Sequence, residues 1–129
     1  MATSVGFHEA ESALKPETKD RHRAIVSLME ELDAIDWYDQ RVDTASDAEL
    51  RAILAHNRDE EREHAMMLLE WLRRNAPGFE EQMRTYLYTQ GPITEIEHAA
   101  EAGEAAKGSD EAAGDGSLGI GSLREVTKT

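Results

Sequence analysis

Glu31, Glu61 and His64 are the residues whose types and spacing best suit metal chemistry. Glu31 lies three residues after Leu28 and four before Ile35. Glu61 lies three before His64, and His64 four before Leu68. Residues three and four apart share a helix face, so all three ionisable groups interrupt apolar stripes. Burying a bare carboxylate is costly unless it is paired or neutralised, and a metal ion supplies the compensating charge. Two-metal carboxylate centres in four-helix bundles take one Glu from each of two helices and a Glu-x-x-His from each of the other two. This chain carries half of that set in its long helices. Two copies would bring two Glu31, two Glu61 and two His64 together, and their four carboxylates would balance two divalent cations. Carboxylate and imidazole donors suit iron or manganese, although zinc also binds such sets. In the plainer alternative, Glu61 and His64 form an ordinary hydrogen-bonded pair at an interface.

Two long helices must position these groups. Pro16 suits a first helical turn, and Glu17 complements the helix dipole. Ile25, Leu28, Leu32, Ile35 and Val42 then mark an apolar stripe. Ser46-Asp47-Ala48-Glu49 reads as a capping box opening the next helix, whose stripe holds Leu50, Ile53, Leu54, Leu68, Trp71 and Leu72. Asn75-Ala76-Pro77-Gly78 stops it. The expected long helices cover about 17–43 and 47–75, each roughly 40 Å long at about 1.5 Å per residue. A short turn makes them antiparallel. Shorter helices are expected near 79–88 and 93–102.

The expected fold is all-α: an antiparallel two-helix hairpin with short C-terminal helices, dimerising into a four-helix bundle. A lone hairpin leaves apolar surface uncovered, which favours an oligomer before any metal is considered. The helical domain is expected over 1–102. A flexible acidic linker follows over 103–115, where Gly, Ala, Ser and acidic residues dominate. The tail, 116–129, sets Leu118, Ile120 and Leu123 among glycines, a pattern suited to an extended peptide docking in pockets.

Composition narrows the function further. The 129 residues suffice for one domain, and the absence of cysteine excludes disulfides and thiolate metal sites. The 27 acidic and 14 basic residues give a net charge of −13. That balance disfavours nucleic acid and suits cations. No apolar run approaches the ~20 residues that span a bilayer, and the N-terminus lacks signal-peptide character. A soluble cytosolic protein is expected.

Other groups carry weaker chemistry. Glu30, Asp33 and Trp37 share a second face of the first helix, either guiding cations or simply solvated. His56, Glu60 and Glu63 suit a peripheral cation site or surface ion pairs with Arg58 and Arg62. Tyr38 suits a core position, a hydrogen bond to a ligating carboxylate or the supply of an electron. His22 lies opposite Glu31 and has no ligand role. The second Glu-x-x-His, Glu95 and His98, sits among polar and small residues and reads as a solvated face.

Longer motifs carry a resemblance. Arg21-His22-Arg23-Ala24-Ile25-Val26-Ser27, Met29-Glu30-Glu31-Leu32 and Asp36-Trp37-Tyr38-Asp39-Gln40-Arg41-Val42 resemble the encapsulated ferritins. So do Ile53-Leu54-Ala55-His56-Asn57-Arg58-Asp59-Glu60-Glu61, Glu63-His64-Ala65, Glu70-Trp71-Leu72-Arg73-Arg74-Asn75 and Gly91-Pro92-Ile93-Thr94. The resemblance covers roughly 17–98. Residues 117–124, Ser-Leu-Gly-Ile-Gly-Ser-Leu-Arg, are similar to peptides that load cargo into encapsulin nanocompartments.

The resemblance implies a two-helix protomer, half of a ferritin fold, that pairs around a ferroxidase centre and assembles as an annular decamer. It implies that Glu31, Glu61 and His64 from two chains ligate two irons, Fe²⁺ and Fe³⁺ by turns, with Tyr38 beside them. Glu30, Asp33 and Trp37 would form the region where metal enters. Asp33 departs there from the Glu that the pattern calls for. His56, Glu60 and Glu63 match a peripheral metal position. The implied reaction oxidises Fe²⁺ with dioxygen, and a surrounding encapsulin shell, docked through 117–124, holds the mineral. The alternatives are a rubrerythrin-like di-iron peroxidase and a non-catalytic helical adaptor bridged by metal.

Overall fold

The computed structural model describes residues 6–113, with no account of side chains beyond residue 107. After a single 3₁₀ turn at Glu11–Ala13, the chain forms α1 (Pro16–Thr44), α2 (Ala48–Asn75), α3 (Phe79–Tyr86) and α4 (Ile93–Ala113). No strand occurs among the described residues. The chain divides into two compact units, the first ending at Glu80 and the second starting at Glu81.

In the first unit α1 and α2 form an antiparallel hairpin. Pro16 takes the first helical position of α1, where its missing N–H costs no hydrogen bond. Ala45 closes α1 by donating its N–H to the Arg41 carbonyl at 2.9 Å. Its own carbonyl accepts from Arg51 Nε at 3.1 Å and Nη2 at 2.6 Å, which staples the turn to the first part of α2. The cap of α2 is Asp47, one residue past the expected Ser46: its Oδ2 accepts from the Leu50 N–H at 2.8 Å. Both residue types cap well, and the three-residue turn places the aspartate at the helix mouth.

α2 ends where Ala76 donates to the Leu72 carbonyl at 2.8 Å. Gly78, at φ 90°, then turns the chain into α3 through a conformation that L side chains rarely adopt. Arg73 secures this corner. It grips Glu70 through Nε at 2.7 Å and Nη2 at 2.8 Å and reaches Glu80 through Nη1 at 2.9 Å.

The hairpin closes over small residues. Ala24, Leu72 and Ala76 are buried together with Ile25 and Leu28 packed against them, and Ala65 is fully enclosed. The hairpin also leaves much apolar surface open: Leu32, Ile53, Met66 and Met67 are each more than half exposed.

In the second unit α4 runs to Ala113. The expected helix stopped near 102, with a flexible linker from 103. Alanine and glutamate dominate this stretch and favour helix strongly enough to absorb Gly103, whose penalty is about 1 kcal/mol. Glu95 and His98 are exposed on this helix, as expected of a solvated face. The tail, 116–129, lies outside the described residues. No described helix is long and apolar enough to cross a membrane.

Candidate metal centre

Midway along the hairpin, α1 contributes Glu31 and α2 contributes Glu61 and His64. His64 Nδ1 lies 3.3 Å from Glu61 Oε2 and 3.9 Å from Glu31 Oε2. One donor atom from each residue falls within 4.8 Å of the others. The i, i+3 relation aligns Glu61 with His64, and the packing of α1 on α2 brings Glu31 to them. The side chains are half-buried, with exposures of 26% for Glu31, 23% for Glu61 and 43% for His64. The group is therefore open on one side.

The two carboxylates disturb each other. Glu31 is pushed above its ordinary value by its hydrogen bond to Glu61, then by burial and by the Glu61 charge, with His64 opposing. Glu61 is held below its ordinary value by the hydrogen bond from Glu31 and by His64, against burial. Glu31 therefore holds a proton more readily than Glu61 does, as expected when like charges meet at short range. A divalent cation in that position would replace the proton and satisfy both carboxylates and the imidazole. The donor set therefore fits a hard or borderline metal such as iron or manganese.

The other candidate residues are not among the three donors that this group draws together. Tyr38 is half-buried, and the Arg41 guanidinium stands 5.4 Å from its ring centroid. Glu30, Asp33 and Trp37 are exposed, and the charge of Glu30 adds a little to the rise at Glu31. His56 Nε2 pairs with Glu60 Oε1 at 3.0 Å on an open surface, while Glu63 lines a shallow groove with Met66, Met67, Glu70, Trp71 and Arg74. Among the described residues neither set draws three donors together as the triad does. His22 packs against Phe7 with ring centroids 4.9 Å apart and ring planes tilted by 52°.

Arg58 and Arg62 were expected as partners of the His56 group. Both instead bind Asp59, and Arg58 also crosses to Asp39 on α1 at 2.8 Å. Helical periodicity carried no signal for that cross-helix pair, because it depends on the register of α1 against α2.

An all-helical chain with a Glu, Glu, His triad between its two long helices has the make-up of a ferritin-like protein. Comparison with known proteins agrees. The chain belongs to the EncFtn-like family, whose sequence pattern matches residues 6–90. It is 66% identical over 127 residues to the encapsulated ferritin-like protein of Rhodospirillum rubrum, covering 95% of this chain and 90% of that one. It is 31% identical over 123 residues to the encapsulin nanocompartment cargo protein EncC of Myxococcus xanthus, covering 92% of this chain and 95% of that one. Among solved structures, protein ne0167 of Nitrosomonas europaea superposes with a TM-score of 0.66 at 58% identity, covering 68% of this chain and 97% of that one.

Proposed function

We propose that this protein is a ferroxidase that oxidises Fe²⁺ with dioxygen at a centre shared by two copies of the chain. The observation that carries this reading is the triad: three ligating groups converge from two helices and remain open on one side. A second copy meeting that side would supply the other three. Glu31, Glu61 and His64 of both copies would hold the two irons between them. Fe²⁺ is the substrate. Each pair of Fe²⁺ yields two electrons, which with two protons reduce dioxygen to hydrogen peroxide. The ligands' role is to hold the two ions together, so that one oxidant meets both electrons.

Around this centre, Tyr38 would sit beside the ligands, and Glu30, Asp33 and Trp37 would guide cations in. His56, Glu60 and Glu63 would hold a peripheral ion. The relative from Rhodospirillum rubrum is named an encapsulated ferritin-like protein, and that from Myxococcus xanthus an encapsulin nanocompartment cargo protein. We extend that association to this chain: residues 117–124 would dock it inside an encapsulin shell, where the oxidised iron is stored. The annular decamer is part of the same proposal.

Anaerobic loading with Fe²⁺ followed by dioxygen tests the reading. Ferric absorbance should develop in wild type and much less in Glu31→Ala or His64→Ala. Wild-type rates in both variants would overturn it. A protein that dimerises with metal but never oxidises Fe²⁺ would be the helical adaptor instead.

A further inference from the structure

We infer that the Asp39–Arg58 ion pair is a positioning device that sets the axial register of α1 against α2 at the metal centre. The inference rests on the ferroxidase reading of the same triad and adds two residues to it.

Arg58 precedes Glu61 by three residues, so the two share the face of α2 that meets α1. Its guanidinium works in two directions. Nη1 donates across the hairpin to Asp39 Oδ1 at 2.8 Å, and Nε donates to Asp59 Oδ1 of its own helix at 3.3 Å. Asp59 is itself held by Arg62 at 3.0 Å. A planar fork anchored on one helix and bonded to the other resists sliding in a way that a lysine ammonium would not. The Arg58 side chain is 20% exposed, whereas Arg62, one turn further on, is 53% exposed. Arg58 is therefore packed into the seam, not waving over it.

The ligands lie between two unlike contacts. On the far side, Ala65 follows His64 and is fully enclosed. Contact between small apolar residues sets distance but permits sliding. The Asp39–Arg58 bond is directional and adds a restraint along the axis close to the ligands, beyond the one that the Arg51 staple gives at the turn. The demand is severe: a slip of one residue moves a helix by about 1.5 Å, against a tolerance of roughly 0.2 Å in metal–ligand distances.

A competing account treats Arg58 only as a positive charge near a cation site. The two accounts predict opposite signs. Removing a nearby cation should tighten metal binding through the field alone, whereas losing the register should loosen it.

Mn²⁺ binding, measured by calorimetry on the full-length protein, separates them. Arg58→Gln should weaken Mn²⁺ binding about threefold, the size supported by one partly exposed ion pair, and should slow Fe²⁺ oxidation. Asp39→Asn should weaken it similarly. The double variant should be no worse than either single change, as a shared interaction requires. Exchanging the pair, Arg58→Asp with Asp39→Arg, should restore binding toward wild type. Helicity and metal-free melting temperature serve as controls, and the binding losses should persist where every variant is folded. Unchanged or tighter Mn²⁺ binding in Arg58→Gln overturns the inference. A wild type that binds Mn²⁺ but does not oxidise Fe²⁺ overturns the ferroxidase reading alone, and the Mn²⁺ arms still decide the positioning role. A wild type that binds no Mn²⁺ overturns both.

Discussion

Replacing Glu31 by glutamine should separate the two things that this carboxyl does. In the metal-free protein Glu31 is pushed above its ordinary value near 4.5. A carboxyl with a raised folded value favours folding while protonated, and that contribution is lost as pH rises through the folded value. At neutral pH its charge opposes folding. Glu31→Gln removes the charge and keeps a donor toward Glu61, so the metal-free variant should be at least as stable as wild type. Glu61 has the opposite sign. Its value is held below 4.5, so its charged form supports folding above that pH, and Glu61→Gln should destabilise the metal-free protein. With metal the two variants should converge, because both lose a ligand. A ligand at about a hundred times its Kd stabilises the folded state by about 2.7 kcal/mol. If the lost carboxylate weakens binding by about a hundredfold, the upper end of what even an outer partner costs, the same metal concentration yields only about 0.4 kcal/mol. The difference, about 2.3 kcal/mol, corresponds to roughly 9–18 °C in melting temperature for a helical unit of this size. Circular-dichroism melts with and without anaerobic Mn²⁺ measure every quantity. A full wild-type Mn²⁺ shift in Glu31→Gln would refute the reasoning, as would identical metal-free behaviour of the two variants.

Three further predictions rest on other parts of the chain. Asp47→Ala should cost about 1 kcal/mol in urea unfolding through loss of the helix cap, whereas Ser46→Ala should leave stability near wild type. The two Arg73 and Arg74 guanidiniums hold Glu70 down to about 2, against an ordinary value of 4.5. The stability difference between wild type and Glu70→Gln should therefore be constant above about pH 5, shrink as the unfolded chain protonates first, and vanish near pH 2 in acid-unfolding curves. Deleting residues 116–129 should leave Fe²⁺ oxidation intact and abolish co-purification with a co-expressed encapsulin shell, and persistent encapsulation would remove the docking role from the tail.

The hairpin and its triad were legible because their signals are local. Pro16, the apolar spacing from Ile25 to Val42, and the stop at Asn75-Ala76-Pro77-Gly78 mark helix limits within a residue or so of Pro16–Thr44 and Ala48–Asn75. Glu31, Glu61 and His64 stood out because each breaks an apolar stripe, and antiparallel packing does the rest. What escaped depends on competition or on register. Ser46 and Asp47 are both good caps, and only the path of the turn chooses between them. Over 103–113 the glycines argue for a linker and the alanines for a helix, and the alanines prevail. The bond from Arg58 to Asp39 joins two helices whose relative offset no single-helix pattern encodes.

The core of the hairpin, mostly alanine with Leu72 as its one large fully buried side chain, has a consequence for how the protein should behave on dilution. A core this thin contributes little stability within one copy, while Leu32, Ile53, Met66 and Met67 stay wet. In the proposed pairing, a second copy that covers those side chains would add stability that rises with the logarithm of protomer concentration. Under that proposal dilution would act on this chain as a mild denaturant, and its melting temperatures would carry meaning only beside the concentration at which they were taken. For a freshly made chain, crowding with its own kind would be the event that separates a loose hairpin from a working one.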